Sequence, residues 1–215
     1  MPKPINQVNR SANRSVTDQT AINQIIDSHF ICHLSYLHEG IPLCIPTAYG
    51  RSNNTIYLHG AVGNRMLKGL LALDKVSITI THLDGLVLAR SLFNHSFNYR
   101  SVVAFGKARS ITDDTEKLSA LKIITDNIID KRYEEARTPN EVELKRTLVV
   151  ALEVDMFSAK VRAEGVNDDE EDMNLPIWAG IVPLKLIQEK AIPEPSLDPR
   201  LKIPVSIEEY DKFPM

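Results

Sequence analysis

Residues 82–106 constrain this chain more than any other stretch. His82-Leu83-Asp84-Gly85-Leu86-Val87-Leu88-Ala89-Arg90-Ser91 leads through Ser96-Phe97-Asn98-Tyr99-Arg100-Ser101 into Val102-Val103-Ala104-Phe105-Gly106. The pattern predicts two strands. Residues 86–89 are apolar and follow an Asp-Gly turn, and residues 102–105 form a continuous apolar run of the kind buried on both faces. On this reading Val103 is a core residue. The connection sets His95, Ser96, Asn98, Tyr99, Arg100 and Ser101 against that core. So many donors and acceptors beside a core strand need partners, whether from a loop, from water or from a ligand. The residues alone leave a well-capped loop and a binding site equally open.

A length of 215 residues suffices for one domain with a sizeable core. A net charge of -3 gives no basic field for nucleic acid. No apolar run approaches the roughly 20 residues that span a bilayer. Residues 1–20 are polar and lack an apolar signal core, so a cytoplasmic protein is expected. The two cysteines, Cys32 and Cys44, fall in strand-like runs without metal-ligand spacing and read as buried small residues in a reducing compartment.

Residues 1–16 lack periodicity and read as a flexible arm. Residues 17–28 predict a short helix capped by Thr17, with Ile22, Ile25 and Ile26 as its apolar stripe. A hairpin follows, 30–37 and 41–49 around His38-Glu39-Gly40. Pro42 and Pro46 lie in its second strand, which must therefore be an edge or be bulged. A third strand covers 56–59. Residues 75–81 alternate cleanly, with Val76, Ile78 and Ile80 on one face and Ser77, Thr79 and Thr81 on the other. Asp113 with Glu116 predicts the start of a long helix running to about residue 137, and Pro139 that of a shorter one to Arg146. Residues 148–154 read as a buried strand that 156–163 extend or pair with. The acidic run 167–172 reads as a solvated loop, and residues 191–215 as an extended tail. Short antiparallel strands with few helices predict a small antiparallel barrel with helical attachments.

One further stretch suggests an anion. Gly60, Gly63 and the N-capping Asn64 precede a helix opened by Arg65, with Lys68 one turn on. Cations at a helix start oppose the macrodipole unless an anion sits there. A surface arginine pointing into water is the alternative.

Four segments together resemble the flavin-binding split-barrel proteins related to pyridoxamine 5'-phosphate oxidase, in the nitroimidazole-reductase-like branch. They are Ile45-Pro46-Thr47-Ala48-Tyr49-Gly50; Leu58-His59-Gly60 with Asn64-Arg65; the stretch from Thr81 to Ser91 continuing at Asn98-Tyr99-Arg100-Ser101-Val102-Val103; and Pro176-Ile177-Trp178-Ala179-Gly180. The third is long and specific. The resemblance implies a mainly β, six-stranded antiparallel split β-barrel with flanking helices over residues 17–190. It also implies a homodimer with FMN in the groove between protomers. It places the phosphate near Asn64, Arg65 and Arg100, with Ser96, Asn98, Tyr99 and Ser101 beside it. Pro46, Thr47 and Ala48 would lie along the flavin, with His59 and Gly60 nearby and Trp178 as a cover. Relatives often carry a second cation after the arginine, where this chain has Met66. The implied function is an oxidoreductase passing electrons from NAD(P)H through FMN to a small acceptor. The alternatives are a flavin carrier without turnover and a haem-binding barrel. His59, His82 and His95 are candidates for proton delivery or, in the haem case, axial ligation, although a histidine in a polar loop is more often a structural hydrogen-bond partner. No metal site is expected.

Overall fold

The computed structural model describes residues 5–8 and 10–210. Its strands in chain order are β1 (Ser15–Val16), β2 (Ile31–His38), β3 (Ile41–Ala48), β4 (Gly50–Ser52), β5 (Thr55–Ala61), β6 (Val76–Leu88), β7 (Ser96–Ile111), β8 (Thr147–Arg162) and β9 (Gly180–Pro183). The helices are α1 (Gln19–Asp27), α2 (Arg65–Leu71), α3 (Asp114–Ile128), α4 (Glu141–Arg146) and α5 (Val205–Glu208). The sheet runs β3-β2-β6-β7-β8-β5-β4, with β1 added to β8 and β9 to β6. Every pairing is antiparallel. The path does not close, so six long strands and three short ones make an open, split barrel. No helix among the described residues is long and apolar enough to cross a membrane.

Alternation builds the core. Cys32, Leu34 and Tyr36 of β2 point inward with Ile56 and Leu58 of β5, Val76, Ile78 and Ile80 of β6, and Val102 and Ala104 of β7. Val150, Leu152 and Ala159 of β8 complete the lining. Ile22, Ile25 and Ile26 of α1 and Met66, Leu67 and Leu70 of α2 plug the barrel. Burying each such large aliphatic side chain contributes about 1.5–3 kcal/mol. A second, smaller core under α3 joins Ile111, Ala120, Val149 and Ala151. Gly50 admits α3 closely, since a Cβ there would meet the Ile123 carbonyl oxygen at 2.6 Å.

Several expectations are corrected. Residues 86–88 are not a separate strand but the end of β6, with Ala89 just beyond it, and Asp84-Gly85 marks a register shift inside β6 rather than a turn. The 102–105 run is buried on one face only: Val102 and Ala104 are fully buried, while Val103 and Phe105 face outward and are half-buried. A residue of either type suits a strand, so composition alone cannot tell one buried face from two. The cap of α1 is Asp18, whose carboxylate accepts from Ala21 N at 2.8 Å, and not Thr17. Helix α3 stops at Ile128 because Ile129 is extended, and α4 begins at Glu141 in a capping box between Asn140 and Glu143. Residues 148–163 form one strand. The prolines sit in edge strand β3 as expected, and the β2–β3 register runs unbroken. The hairpin turns through Glu39 and Gly40, both at positive φ (51° and 79°), as a type I′ turn demands.

The segment expected as a flexible arm is pinned where it is described. β1 pairs with β8, Asn6 Nδ2 donates to the Phe157 carbonyl at 3.3 Å, and Arg14 pairs with Glu164 at 2.9 Å. Residues 1–4 and 9, and 211–215 of the tail, lie outside the described residues. Cys32 is buried, and burial pushes its thiol up to about 12, whereas Cys44 is exposed, contrary to expectation. They belong to opposite faces of the hairpin, since Cys32 pairs with Thr47 and Cys44 with Ser35.

Two substitutions test this core. Val102→Asp buries an unpaired charge that costs several kcal/mol, about the whole stability of a small domain, and is expected to abolish soluble folded protein. Val103→Asp, one residue on, is expected to leave the circular dichroism of the fold intact. The reverse ranking would place the core on the wrong face. Gly106→Ala would set a Cβ 2.1 Å from the Glu153 carbonyl oxygen; a loss of about 1–3 kcal/mol in urea unfolding is expected.

Candidate functional site

The outer face of the sheet is built differently from the inner one. One cross-strand row runs Pro46–His33–Thr79–Val103–Ser158 over β3, β2, β6, β7 and β8. The next runs Cys44–Ser35–Ser77–Phe105–Met156. A shorter row, Thr81–Ser101–Lys160, follows on the other side. Thr81 and Ser101 share a hydrogen bond at 3.3 Å. At about 4.8 Å per strand this face is roughly 19 Å wide. It is lined by short hydroxyls, the His33 imidazole, the Cys44 thiol, Lys160 and the apolar side chains of Pro46, Val103, Phe105 and Met156, all at least partly accessible. A flat surface of small side chains offers room and hydrogen bonds to a planar ring system with a polyol chain. Ser77, Thr79 and Thr81 are not among the expected site residues, and the serine and threonine alternation over 75–81 is the signal that could have found them.

The expected residues fall into three places on this frame. Pro46, Thr47 and Ala48 lie on edge strand β3, at the level of Thr79. Ser96, Asn98, Tyr99, Arg100 and Ser101 lie along the first half of β7. Arg100 is engaged there: Nε and Nη2 donate to the two Asp84 carboxylate oxygens at 3.0 and 2.8 Å. Tyr99 packs against Phe97 with ring centroids 5.6 Å apart. Asn98 accepts from the Arg162 guanidinium and from Glu164 N at 3.2 Å. Trp178 is 66 % exposed, and its ring lies where a Cβ on Gly180 would sit, 2.9 Å away.

The third place is the β5–α2 corner, with His59, Gly60, Asn64 and Arg65. Gly60 is required there, because a Cβ would approach Asn64 Nδ2 to 2.8 Å. The Asn64 side chain is spent as a cap, accepting from Leu67 N at 3.1 Å. Arg65 is exposed, with Nη1 3.4 Å from His38 Nε2. Met66 is 7 % exposed and belongs to the core, so it reports packing rather than a missing phosphate ligand. One protomer does not bring this corner to Arg100. His38 is three residues beyond Ser35, which pairs with Ser77, and Arg100 pairs with His82 on the far side. Strand rise puts them roughly 25 Å apart, at opposite ends of the sheet.

The histidines divide as cleanly. His82 is buried, and its Nε2–H donates to the Ile25 carbonyl at 2.9 Å, tying β6 to α1. Burial holds this imidazole below its usual range, and the positive Arg100 adds to that while the Ile25 hydrogen bond opposes it. His95 Nε2–H donates to the Ala89 carbonyl at 3.1 Å, and His29 Nδ1 accepts from Phe30 N and Ile31 N. These three are structural. Among the described residues, the side chains of His33, on the outer face, and His59 make no hydrogen bond.

The acidic run is exposed at Asn167, Asp169, Glu170 and Glu171, as a solvated loop should be, but Asp168 is docked. Asp168 is 1 % exposed at its side chain, accepting from Arg90 N at 2.8 Å and pairing with Arg90 Nη1 at 2.6 Å. Burial works against its ionisation, but the Arg90 hydrogen bonds win and hold the carboxyl below the usual range. Among the described residues no group of three or more histidine, cysteine, aspartate or glutamate side chains is placed to hold a metal ion.

Residues 18–161, through most of the barrel, match the family model described as pyridoxamine 5'-phosphate oxidase. The chain belongs to that family. Among solved structures, the flavocytochrome Anf3 from Azotobacter vinelandii is 32 % identical over 95 % of each chain, with a TM-score of 0.90. A FAD and heme binding protein from Mycobacterium smegmatis is 30 % identical, covering 91 % of this chain and 96 % of its own, at 0.86. A protein assigned to 5-nitroimidazole antibiotic resistance from Bacteroides thetaiotaomicron is 26 % identical over 68 % of this chain and 86 % of its own, at 0.59. No curated protein matches.

In this pyridoxamine 5'-phosphate oxidase family member, the burial of His82 is expected to make the fold pH-sensitive. The unfolded chain takes up a proton near pH 6.5, which the buried neutral imidazole refuses until lower pH. Stability is therefore expected to fall as pH drops through about 6.5, by about 1.4 kcal/mol for each unit of depression. Melting temperatures from pH 8 to 5 check this. His82→Gln is expected to flatten the slope, and an unchanged slope would remove His82 as its source.

Proposed function

We propose that this chain is a flavin-binding redox protein that works as a homodimer, with the flavin on the outer sheet face between two protomers. One observation carries the reading: a wide outer face rich in small hydroxyl side chains is partly accessible beside Pro46–Ala48 and Ser101. Two relatives at 30 % identity or more are a flavocytochrome and a FAD and heme binding protein, which supports it. The apolar surface supports the second protomer. Leu37, Ile41, Leu83, Phe97 and Trp178 are all at least half exposed, more than a lone soluble domain usually leaves open. A two-fold arrangement is also the way to bring the Arg65 corner of one copy towards the Arg100 end of another.

Flavin, when bound, supplies the electron chemistry, and the protein supplies position and electrostatics. In this chain Thr79, Thr81 and Ser101 would hydrogen-bond the ligand, and the backbone of Pro46–Ala48 would lie beside it with Trp178 as a cover. The flavin is FMN on the sequence resemblance, with FAD as the second reading that the mycobacterial relative favours. NAD(P)H as donor and a small oxidised acceptor complete the oxidoreductase reading. Haem is a further reading that both relatives favour, and the residues fit it: His33 and His59 carry imidazoles free to ligate iron, whereas His29, His82 and His95 are engaged.

The visible spectrum of freshly purified protein tests this. Flavin bands are expected, with FMN or FAD identified by chromatography after denaturation, and a Soret band marks haem. His33→Ala and His59→Ala separate the two candidate ligands. A colourless protein that takes up neither FMN nor FAD would overturn the reading.

A further inference from the structure

The turn between β6 and β7 holds two large apolar side chains out in water. Leu92 is 85 % exposed and Phe93 is 91 % exposed. The turn that carries them is tightly built. Arg90, at its start, is held by the buried Asp168 carboxylate through its backbone N at 2.8 Å and Nη1 at 2.6 Å. Ser91 Oγ accepts from Phe93 N at 3.2 Å, and Asn94 Nδ2 donates to Asp169 Oδ2 at 3.1 Å. His95 Nε2–H closes the turn on the Ala89 carbonyl. An aromatic side chain on a fixed turn loses little entropy on docking, as an interface anchor should. The foot of this apolar knob is acidic. Asp169, Glu170 and Glu171 are exposed, and among the described residues none of them forms an ion pair.

The opposite end of the sheet carries the complement. Leu37 and Ile41 flank the β2–β3 turn, are neighbours because His38 pairs with Ile41, and are both more than half exposed. Helix α2 packs beside them: a Cβ on Gly69 would lie 2.8 Å from the Tyr36 ring and 3.6 Å from the Leu37 carbonyl oxygen. The helix brings Arg65 and Lys68 to the rim of this apolar pair, both exposed and without an ion pair among the described residues. One chain cannot join its own knob to its own patch. Ser35, two residues before Leu37, pairs with Ser77, and β6 runs on to Leu88 before the turn begins. Strand rise makes that separation roughly 40 Å.

We infer that Leu92 and Phe93 of one copy dock on Leu37 and Ile41 of a second copy, with Lys68 facing Glu170 and Glu171, a contact that rests on the two-protomer reading above. Charge selects a second copy as the occupant, since an acid-footed apolar knob and a base-rimmed apolar patch occur on the same chain. Position agrees. The turn lies just beyond Arg100 on β7, so the two-fold arrangement that brings the Arg65 corner of one copy to the Arg100 end of the other carries the turn the same way. Area agrees as well. Covering a leucine and a phenylalanine removes about 300 Å² from each side of the contact. A two-fold axis makes the contact twice, about 1,200 Å² in all, which is within the range of a stable interface.

Sedimentation equilibrium of the purified protein tests the contact. A dimer is expected, and Phe93→Ser is expected to weaken it at least tenfold with circular dichroism unchanged, because the side chain stands in water within one chain. Glu170→Lys together with Glu171→Lys is expected to weaken the dimer several-fold, and adding Lys68→Glu to recover part of that loss. Leu201→Ser, an exposed apolar position on the tail, is the control and is expected to change nothing. Where the dimer is too tight to dissociate, chains carrying Phe93→Cys and Ile41→Cys are co-expressed, each with Cys44→Ser, and a disulfide between the two is expected on oxidation. A dimer that keeps its affinity in Phe93→Ser and forms no such disulfide would overturn the contact and leave the turn to a foreign partner. A wild-type monomer would overturn it together with the two-protomer flavin reading.

Discussion

The antiparallel ladder between β7 and β8, from Tyr99 opposite Arg162 to Ile111 opposite Val149, is the interaction on which everything else hangs. Its alternation divides the molecule. Val102, Ala104 and Ala159 close the barrel on one side, while Ser101, Val103, Ser158 and Lys160 stand on the other. Period-two geometry leaves no other arrangement once one face is buried. The irregularity at Phe105 and Gly106, where a side chain would collide with Glu153, bends the ladder so that one strand serves both the main core and the smaller one under α3.

The same ladder sorts the polar groups into those that hold the fold and those left for chemistry. His82 and Asp168 are buried and matched, one to a backbone carbonyl of α1 and the other to Arg90. Thr81, next to His82 in sequence, and Arg100, opposite His82 across the β6–β7 ladder, stand at the end of the sheet proposed for the ligand. A buried imidazole ties helix α1 to β6, and strand alternation turns the hydroxyls of Thr79 and Thr81 to the outer face.

Much of this was legible in the sequence. The isoleucine stripe of α1, the Asn64 cap, the prolines of an edge strand and the alternation over 75–81 each rest on local physics, and each appears where expected. The misreadings have a common origin in contacts made across the sheet. A continuous apolar run cannot reveal that Val103 faces outward, because Val102 and Val103 are chemically alike. An Asp-Gly pair reads as a turn until its strand neighbours show it as an irregularity within β6. Arg162 gave no local signal at all: its burial depends on Asn98 and Gly165, brought to it by the ladder and the turn beyond. The resemblance implied one phosphate site of Asn64, Arg65 and Arg100, yet a single protomer holds Arg100 at the opposite end of the barrel from Asn64 and Arg65.

That separation makes the two-protomer site the central claim, and native mass spectrometry of the purified protein tests it most directly. The expected spectrum is a dimer that carries flavin, with flavin lost when the dimer is dissociated. A monomer that retains flavin would contradict it, because the outer face of one chain would then suffice.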